Sequence, residues 1–273
     1  MLSKIYNKLH KNHFILKIKL LLKSIGVGSY LNNKILGTED DYLQIFKNAI
    51  YGKNNFLNLE ESEITFINNL ALITQVTKKT SKINFDHGFL IYQYLKDYLI
   101  NHVNEKIIIL ETGTARGFSS IIMASLLSSH KIKSEIHTID IIPHQKKMYW
   151  NCISDPRNGK VTREELLKDY KEYLKFINFH EGTARDVFKN FSLDRINFSF
   201  LDGAHDYIDI KLEYEYVKSK NIKGDIIFID DYTPLAFDGI VKLVNEAKEE
   251  GLYEVNCITS SPPNTGYAIL TRK

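Results

Sequence analysis

Two short stretches in the second half of the chain carry enough acid and base for proton and metal chemistry. FLDGAHDY holds Asp202 and, three residues on, His205, and FIDDY holds Asp230 and Asp231. Each continues a short apolar run of strand length, so the three carboxylates are expected at neighbouring strand ends, where their mutual repulsion calls for a counter-charge. A divalent cation answers that need. Three oxygen ligands with room left for water suit Mg²⁺, which would orient a hydroxyl and lower its pKa. His205 lies one helical turn beyond Asp202, and neutral imidazole is well matched to taking a proton near pH 7, so it reads as a general base beside a catalytic Asp202. The structural alternatives are a histidine at a helix start and, for Asp230 and Asp231, a turn and helix cap preceding Tyr232-Thr233-Pro234.

A third stretch, ETGTARGFSS, joins the apolar run KIIIL to the helical-length run IIMASLL. Gly113 permits a backbone conformation closed to residues with a Cβ, and Gly117 lets the following helix pack close to the strand. With Thr114 between them, and with the free N-H groups of Phe118 and Ser119 in the first helical turn, this is a nucleotide-type turn. Its spacing is not the G-x-G-x-x-G of dinucleotide sites. Glu111 at the mouth of the turn would repel a pyrophosphate and welcome a cationic amino group. S-adenosylmethionine carries such a group and no phosphate. Asp140, at the end of the next strand, is then placed to accept hydrogen bonds from ribose hydroxyls, with Ile141 beside it to pack on the adenine.

These residues need a sheet to bring them together. From about residue 106 the chain alternates strand-like runs (KIIILET, EIHTIDII, INFHEGT, INFSFLDG, DIIFIDD) with helix-like segments, one of them long, from residue 143 to 176. LYEVNCITS and GYAILTR then read as two strands joined by SPPNT. The expected fold is α/β, a Rossmann-like sheet of about seven strands, mostly parallel, with an antiparallel strand from the C-terminal hairpin. Residues 1–100 look helical and are expected to form an amino-terminal cap, with residues 101–273 as the cofactor-binding domain.

In that setting ETGTARG resembles the first motif of the class I S-adenosylmethionine-dependent methyltransferases, over roughly residues 85–273, with Ala115 where many members have a further glycine. LDGAHDY followed by a helix and GDIIFIDDY is similar to the methyltransferase-24 and macrocin O-methyltransferase-like family. The resemblance implies an O-methyltransferase that uses S-adenosylmethionine and Mg²⁺ on a hydroxylated small molecule such as a sugar. It further implies that Asp202, Asp230 and Asp231 hold the metal, that Asp202 also lies beside the cofactor, and that His205 is the base. HEGTARDVF resembles the segment that meets the adenine ring, which makes Gly182, Thr183 and Ala184 candidate contacts. Two other readings compete. An NAD(P)-dependent oxidoreductase would call for G-x-G-x-x-G and no acid triad, and a non-catalytic binding module would tolerate loss of the site acids.

Composition bounds the rest. The chain has 273 residues, a net charge of +3, and only Cys152 and Cys257, which points to a reducing, cytoplasmic setting without a disulfide framework. The charge is not gathered into an aromatic-laced patch on the catalytic half, which disfavours nucleic acid as a partner. Seven lysines and no acid fall in the first 38 residues, which suggests an amphipathic helix docked on the domain or on a second copy in a homo-oligomer, in preference to a membrane surface. Tyr6, Tyr30, Tyr42, Tyr51, Tyr92, Tyr94, Tyr149 and Trp150 are candidates for stacking on an acceptor ring, against ordinary packing as the alternative.

Overall fold

A computed structural model describes residues 34–49, 58–80, 82–130, 133–203, 205–233, 237–259 and 266–273. The lysine-rich amino end, Tyr6, Tyr30, Tyr51 and the SPPNT connection lie outside the described residues. The strands are β1 (Ile108–Thr112), β2 (Glu135–Asp140), β3 (Ile177–Glu181), β4 (Phe198–Leu201), β5 (Ile226–Ile229), β6 (Tyr253–Thr259) and β7 (Gly266–Arg272). The described α-helices are α1 (Glu39–Lys47), α2 (Glu61–Thr74), α3 (Asp86–Asn101), α4 (Phe118–Ser129), α5 (Ser154–Asn158), α6 (Arg163–Leu166), α7 (Lys171–Leu174), α8 (Ala184–Asn190), α9 (Tyr207–Lys218) and α10 (Asp238–Glu250).

All seven expected strands are present, in the order β3-β2-β1-β4-β5-β7-β6, and β7 is antiparallel to both neighbours. Side chains alternate across the sheet with the period of two that strands impose. Ile109, Phe198, Phe200 and Phe228 join one core with α2, α3 and α4, and Leu110, Leu201, Ile227 and Ile229 join the other with α9 and α10. Burial of each such side chain contributes about 1.5–3 kcal/mol. Helices α2 and α3, which fall in the stretch expected to cap the sheet, share one core with it.

Strand order reverses between β1 and β4, and a crevice opens there at the carboxyl ends of the strands. The turn after β1 and Asp202 after β4 therefore face each other by topology.

The long helix expected over residues 143–176 does not form. The segment holds only α5, α6, a 3₁₀ turn at Lys168–Tyr170 and α7, with a short bridge pairing Met148 and Val161. Pro156 and Gly159 interrupt any longer helix. The apolar side chains that suggested a helix instead build a small core of Trp150, Cys152, Val161 and Leu166. Trp150 and Tyr42 are fully buried and offer no ring to an acceptor.

Candidate functional site

The turn after β1 is held open by three residues at positive φ: Gly113 at 88°, Ala115 at 46° and Gly117 at 89°. A Cβ on Gly113 would come within 2.2 Å of the Asp202 carbonyl oxygen, so only glycine lets the ends of β1 and β4 close on each other. Ala115 takes the left-handed conformation that a further glycine would adopt without strain. Gly117 N-caps α4 without a side-chain hydrogen bond, which leaves the first-turn N-H groups without a side-chain acceptor. The Phe118 ring itself is core, edge-on to His87 at 5.2 Å.

Glu111 is not where the sequence placed it. Its carboxylate is fully buried and accepts hydrogen bonds from the hydroxyls of Ser119, Ser120 and Thr138. Burial raises its pKa while those three donors pull the other way. The small hydroxyl residues of the stretch thus serve Glu111, which locks β1, β2 and α4 together and presents no surface to a ligand.

Asp140 stands at the edge of the crevice. Its Oδ2 accepts the Ala115 N-H at 2.5 Å and its Oδ1 the Ile142 N-H at 2.7 Å, so it also shapes the turn. Burial raises its pKa, and Arg163, with Nη2 3.8 Å away, opposes the rise. Arg163 is itself buried. Its Nε donates to the Ala115 carbonyl at 2.9 Å and its guanidinium lies over the Trp150 and Phe179 rings. No sequence signal singled it out, because it sits in the stretch mistaken for a helix.

Beside Asp140, between the ends of β2 and β3, lies a cavity of about 230 Å³ lined by Thr114, Ile142, His144, Arg163, Phe179 and Glu181 among others. The His144 and Phe179 rings stack at 3.8 Å. The expected adenine contacts, Gly182, Thr183 and Ala184, do not line it; β3 contributes Phe179, His180 and Glu181 instead. Thr183 is taken up as the N-cap of α8, accepting the Asp186 N-H at 3.1 Å. Ile141 projects outward, 63% exposed.

Across the crevice the acids divide. The Asp202 and Asp231 carboxylates and the His205 imidazole each bring one ligand atom within 4.8 Å of the others. His205 Nε2 is 3.0 Å from Asp231 Oδ2 and 3.9 Å from Asp202 Oδ1, yet it is buried and makes no aligned hydrogen bond. Its ring stacks on Phe237 at 4.5 Å, and Gly239 lets the start of α10 close on the loop that carries it. Asp231 holds φ at +56°, a strain that surrounding structure must impose and that aims its carboxylate at His205.

Asp230, expected in the same triad, turns away. Its Oδ1 accepts the Asp231 N-H at 2.7 Å and its Oδ2 lies 4.0 Å from Nδ1 of His87 on α3. With Asp231 at positive φ and facing His205 while Asp230 faces His87, His205 fills the third position of the cluster. Burial and then the charges of Asp230 and Asp231 raise the Asp202 pKa well above the carboxylate range, and burial followed by Asp231 does the same for Asp230. His87, buried against Phe200, is pushed down to about 4 by burial. The two carboxylates, Asp202 and Asp231, form a donor pair that fits a divalent cation with room left for other oxygen ligands, and His205 Nε2 lies beside them.

Residues 110–232 match the family model of a methyltransferase domain, methyltransferase-24. No curated relative matches the sequence. Among solved structures, the O-methyltransferase NovP is 16% identical, with 77% of this chain and 99% of that one aligned at a TM-score of 0.55. The O-methyltransferase TomG from Streptomyces achromogenes, involved in tomaymycin synthesis and solved with S-adenosylmethionine, is 12% identical over 87% and 100% of the two chains, at 0.54. An O-methyltransferase from Bacillus cereus, solved with S-adenosylhomocysteine, is 14% identical over 80% and 94%, at 0.51. At these identities the likeness is one of fold.

Proposed function

We propose, from the match of residues 110–232 to the methyltransferase-24 family model, that the chain is an S-adenosylmethionine-dependent O-methyltransferase acting on a hydroxylated small molecule, a sugar among the candidates, in the cytoplasm. The observation that carries this reading is the meeting, where the strand order reverses, of the glycine turn after β1 with Asp202, His205 and Asp231 after β4 and β5. One side suits a nucleoside and the other a proton transfer.

Asp140 ends β2 two residues before the cavity-lining Ile142 and carries a carboxylate that can accept from ribose hydroxyls, and the stacked His144 and Phe179 rings beside Glu181 suit a purine with an exocyclic amino group. His205 takes the proton from the acceptor hydroxyl at Nε2, and Asp231, 3.0 Å away, stabilises the imidazolium that results. The acceptor oxygen forms its bond to the methyl carbon as the carbon-sulfur bond breaks, which leaves a methyl ether and S-adenosylhomocysteine. Asp202 and Asp231 would hold a divalent cation, Mg²⁺ among the candidates, whose charge would lower the pKa of the acceptor hydroxyl.

A screen of sugars, catechols and other hydroxylated metabolites with methyl-labelled cofactor tests the reading. With an acceptor in hand, His205→Ala is expected to lower turnover by roughly 100- to 10,000-fold, with partial recovery at high pH. Full activity in excess EDTA would remove the metal from the reading, and label transfer to nitrogen alone would overturn the O-methyltransferase assignment.

A further inference from the structure

Of the three left-handed residues in the glycine turn, only Ala115 carries a Cβ, so its neighbours must impose that conformation. They hold it from both sides. The Ala115 N-H donates to Asp140 Oδ2 at 2.5 Å, and its carbonyl accepts from Arg163 Nε at 2.9 Å. Asp140 and Arg163 are joined in turn through Ile142, whose N-H donates to Asp140 Oδ1 at 2.7 Å and whose carbonyl accepts from Arg163 Nη2 at 3.2 Å. Arg163, Ala115, Asp140 and Ile142 thus close a ring of hydrogen bonds, with Arg163 Nη2 3.8 Å across it from Asp140 Oδ2.

The ring is rigid for two reasons. The Arg163 and Asp140 side chains are 2% and 9% exposed, so neither has room to swing. The guanidinium also lies over the Trp150 and Phe179 rings, at 5.5 and 5.7 Å, a placement that suits a planar cation and not an ammonium. Ile142, Arg163 and Phe179 line the cavity at the end of β3, so part of the ring is its wall.

That rigidity fixes what Asp140 can still do. A carboxylate offers about four lone-pair positions, and each Asp140 oxygen gives one to a backbone N-H, which leaves capacity for two vicinal hydroxyls such as those of a ribose. Burial favours the neutral acid, and the Arg163 charge opposes it. Arg163 therefore controls both the direction and the charge of the carboxylate.

We propose that Arg163 is a positioning residue that sets the Asp140 carboxylate for the ribose hydroxyls of the cofactor, an inference that rests on the reading of this crevice as an S-adenosylmethionine site. Adenosine and 2′,3′-dideoxyadenosine, which lacks both ribose hydroxyls, test it by competition against S-adenosylhomocysteine. The unaltered chain is expected to favour adenosine about 10- to 100-fold, the range of a charge-assisted hydrogen bond. Arg163→Gln should bring that preference within about threefold and weaken S-adenosylhomocysteine by a similar factor. Arg163→Lys keeps the charge but cannot span Ala115 and Ile142, so it should reduce the preference too, and it replaces Arg163→Gln if circular dichroism shows that chain unfolded. An unchanged preference in a folded variant overturns the role of Arg163 even where overall affinity falls, because a general disturbance weakens both nucleosides alike. If the unaltered chain binds S-adenosylhomocysteine without preferring adenosine, the contact through Asp140 falls and the cofactor reading stands. If it does not bind S-adenosylhomocysteine, both fall.

Discussion

At the scale of single residues, the site is built on carboxyl groups that the fold has sorted by burial. Asp202 and Asp231 reach the crevice, Asp230 turns to His87, and Glu111 lies sealed under the turn. Glu213 on α9 is a fifth, nearly buried, accepting from the Thr112 hydroxyl at 2.7 Å below Gly203. Burial pushes its pKa from 4.5 to about 8. The folded chain thus keeps a proton there that the unfolded chain has lost, and the stability this provides is complete below about pH 4.5 and disappears as pH rises through about 8. The change is on the order of 5 kcal/mol. Glu213→Gln, which cannot ionise, should therefore gain stability relative to the parent between pH 5 and pH 9, as read by denaturant midpoints at each pH. Parallel pH profiles for the two chains would show that Glu213 does not hold the proton.

Among the elements, α3 and α4 decide how close the amino-terminal helices come to the site. A Cβ at Gly88 on α3 would meet the Phe118 ring at 2.4 Å and Ile122 at 2.9 Å. That contact seats His87 against Phe118 and Phe200, next to Asp230. Gly88→Val should cost about 1–3 kcal/mol by overpacking. Because Phe118 opens the helix that follows the glycine turn, the same substitution should also weaken S-adenosylhomocysteine binding. A variant that lost stability but bound the ligand as well as the parent would show that α3 only covers the sheet. The elements also account for the failed helix over residues 143–176. Its apolar residues pack around Trp150, and Arg163 reaches across to Ala115 and Ile142, contacts that no local periodicity reveals.

For the molecule as a whole, the amino-terminal helices and the sheet share one buried cluster, so they should unfold together. Trp150 is the single tryptophan, buried beside the turn, and its fluorescence reports the site while circular dichroism reports the helices. The two thermal transitions are expected to coincide. S-adenosylhomocysteine at about 100 times its Kd should raise both by roughly 5 °C, since a ligand that binds only the folded state adds about 2.7 kcal/mol. Two separate midpoints would show that the amino-terminal helices form a unit of their own. Among the described residues no helix is long and apolar enough to cross a membrane.

What the sequence determined alone was everything carried by short-range pattern. Runs such as IIIL and IIFI, short, rich in β-branched residues and ended by acids or glycine, read as buried strands, their alternation with helix-like stretches points to a parallel sheet, and a parallel sheet puts Gly113, Asp140, Asp202 and Asp231 along one edge. What it left undecided was the direction of each side chain at that edge. Glu111 and Asp202 both end strands, yet one is enclosed by hydroxyls from α4 and β2 and the other faces the crevice. Asp230 and Asp231 are neighbours that part because one backbone angle is positive. His87 and Arg163 come from segments without a motif and reach the site through contacts distant in sequence. Such contacts depend on which surfaces the folded chain packs together, and only the tertiary structure decides that.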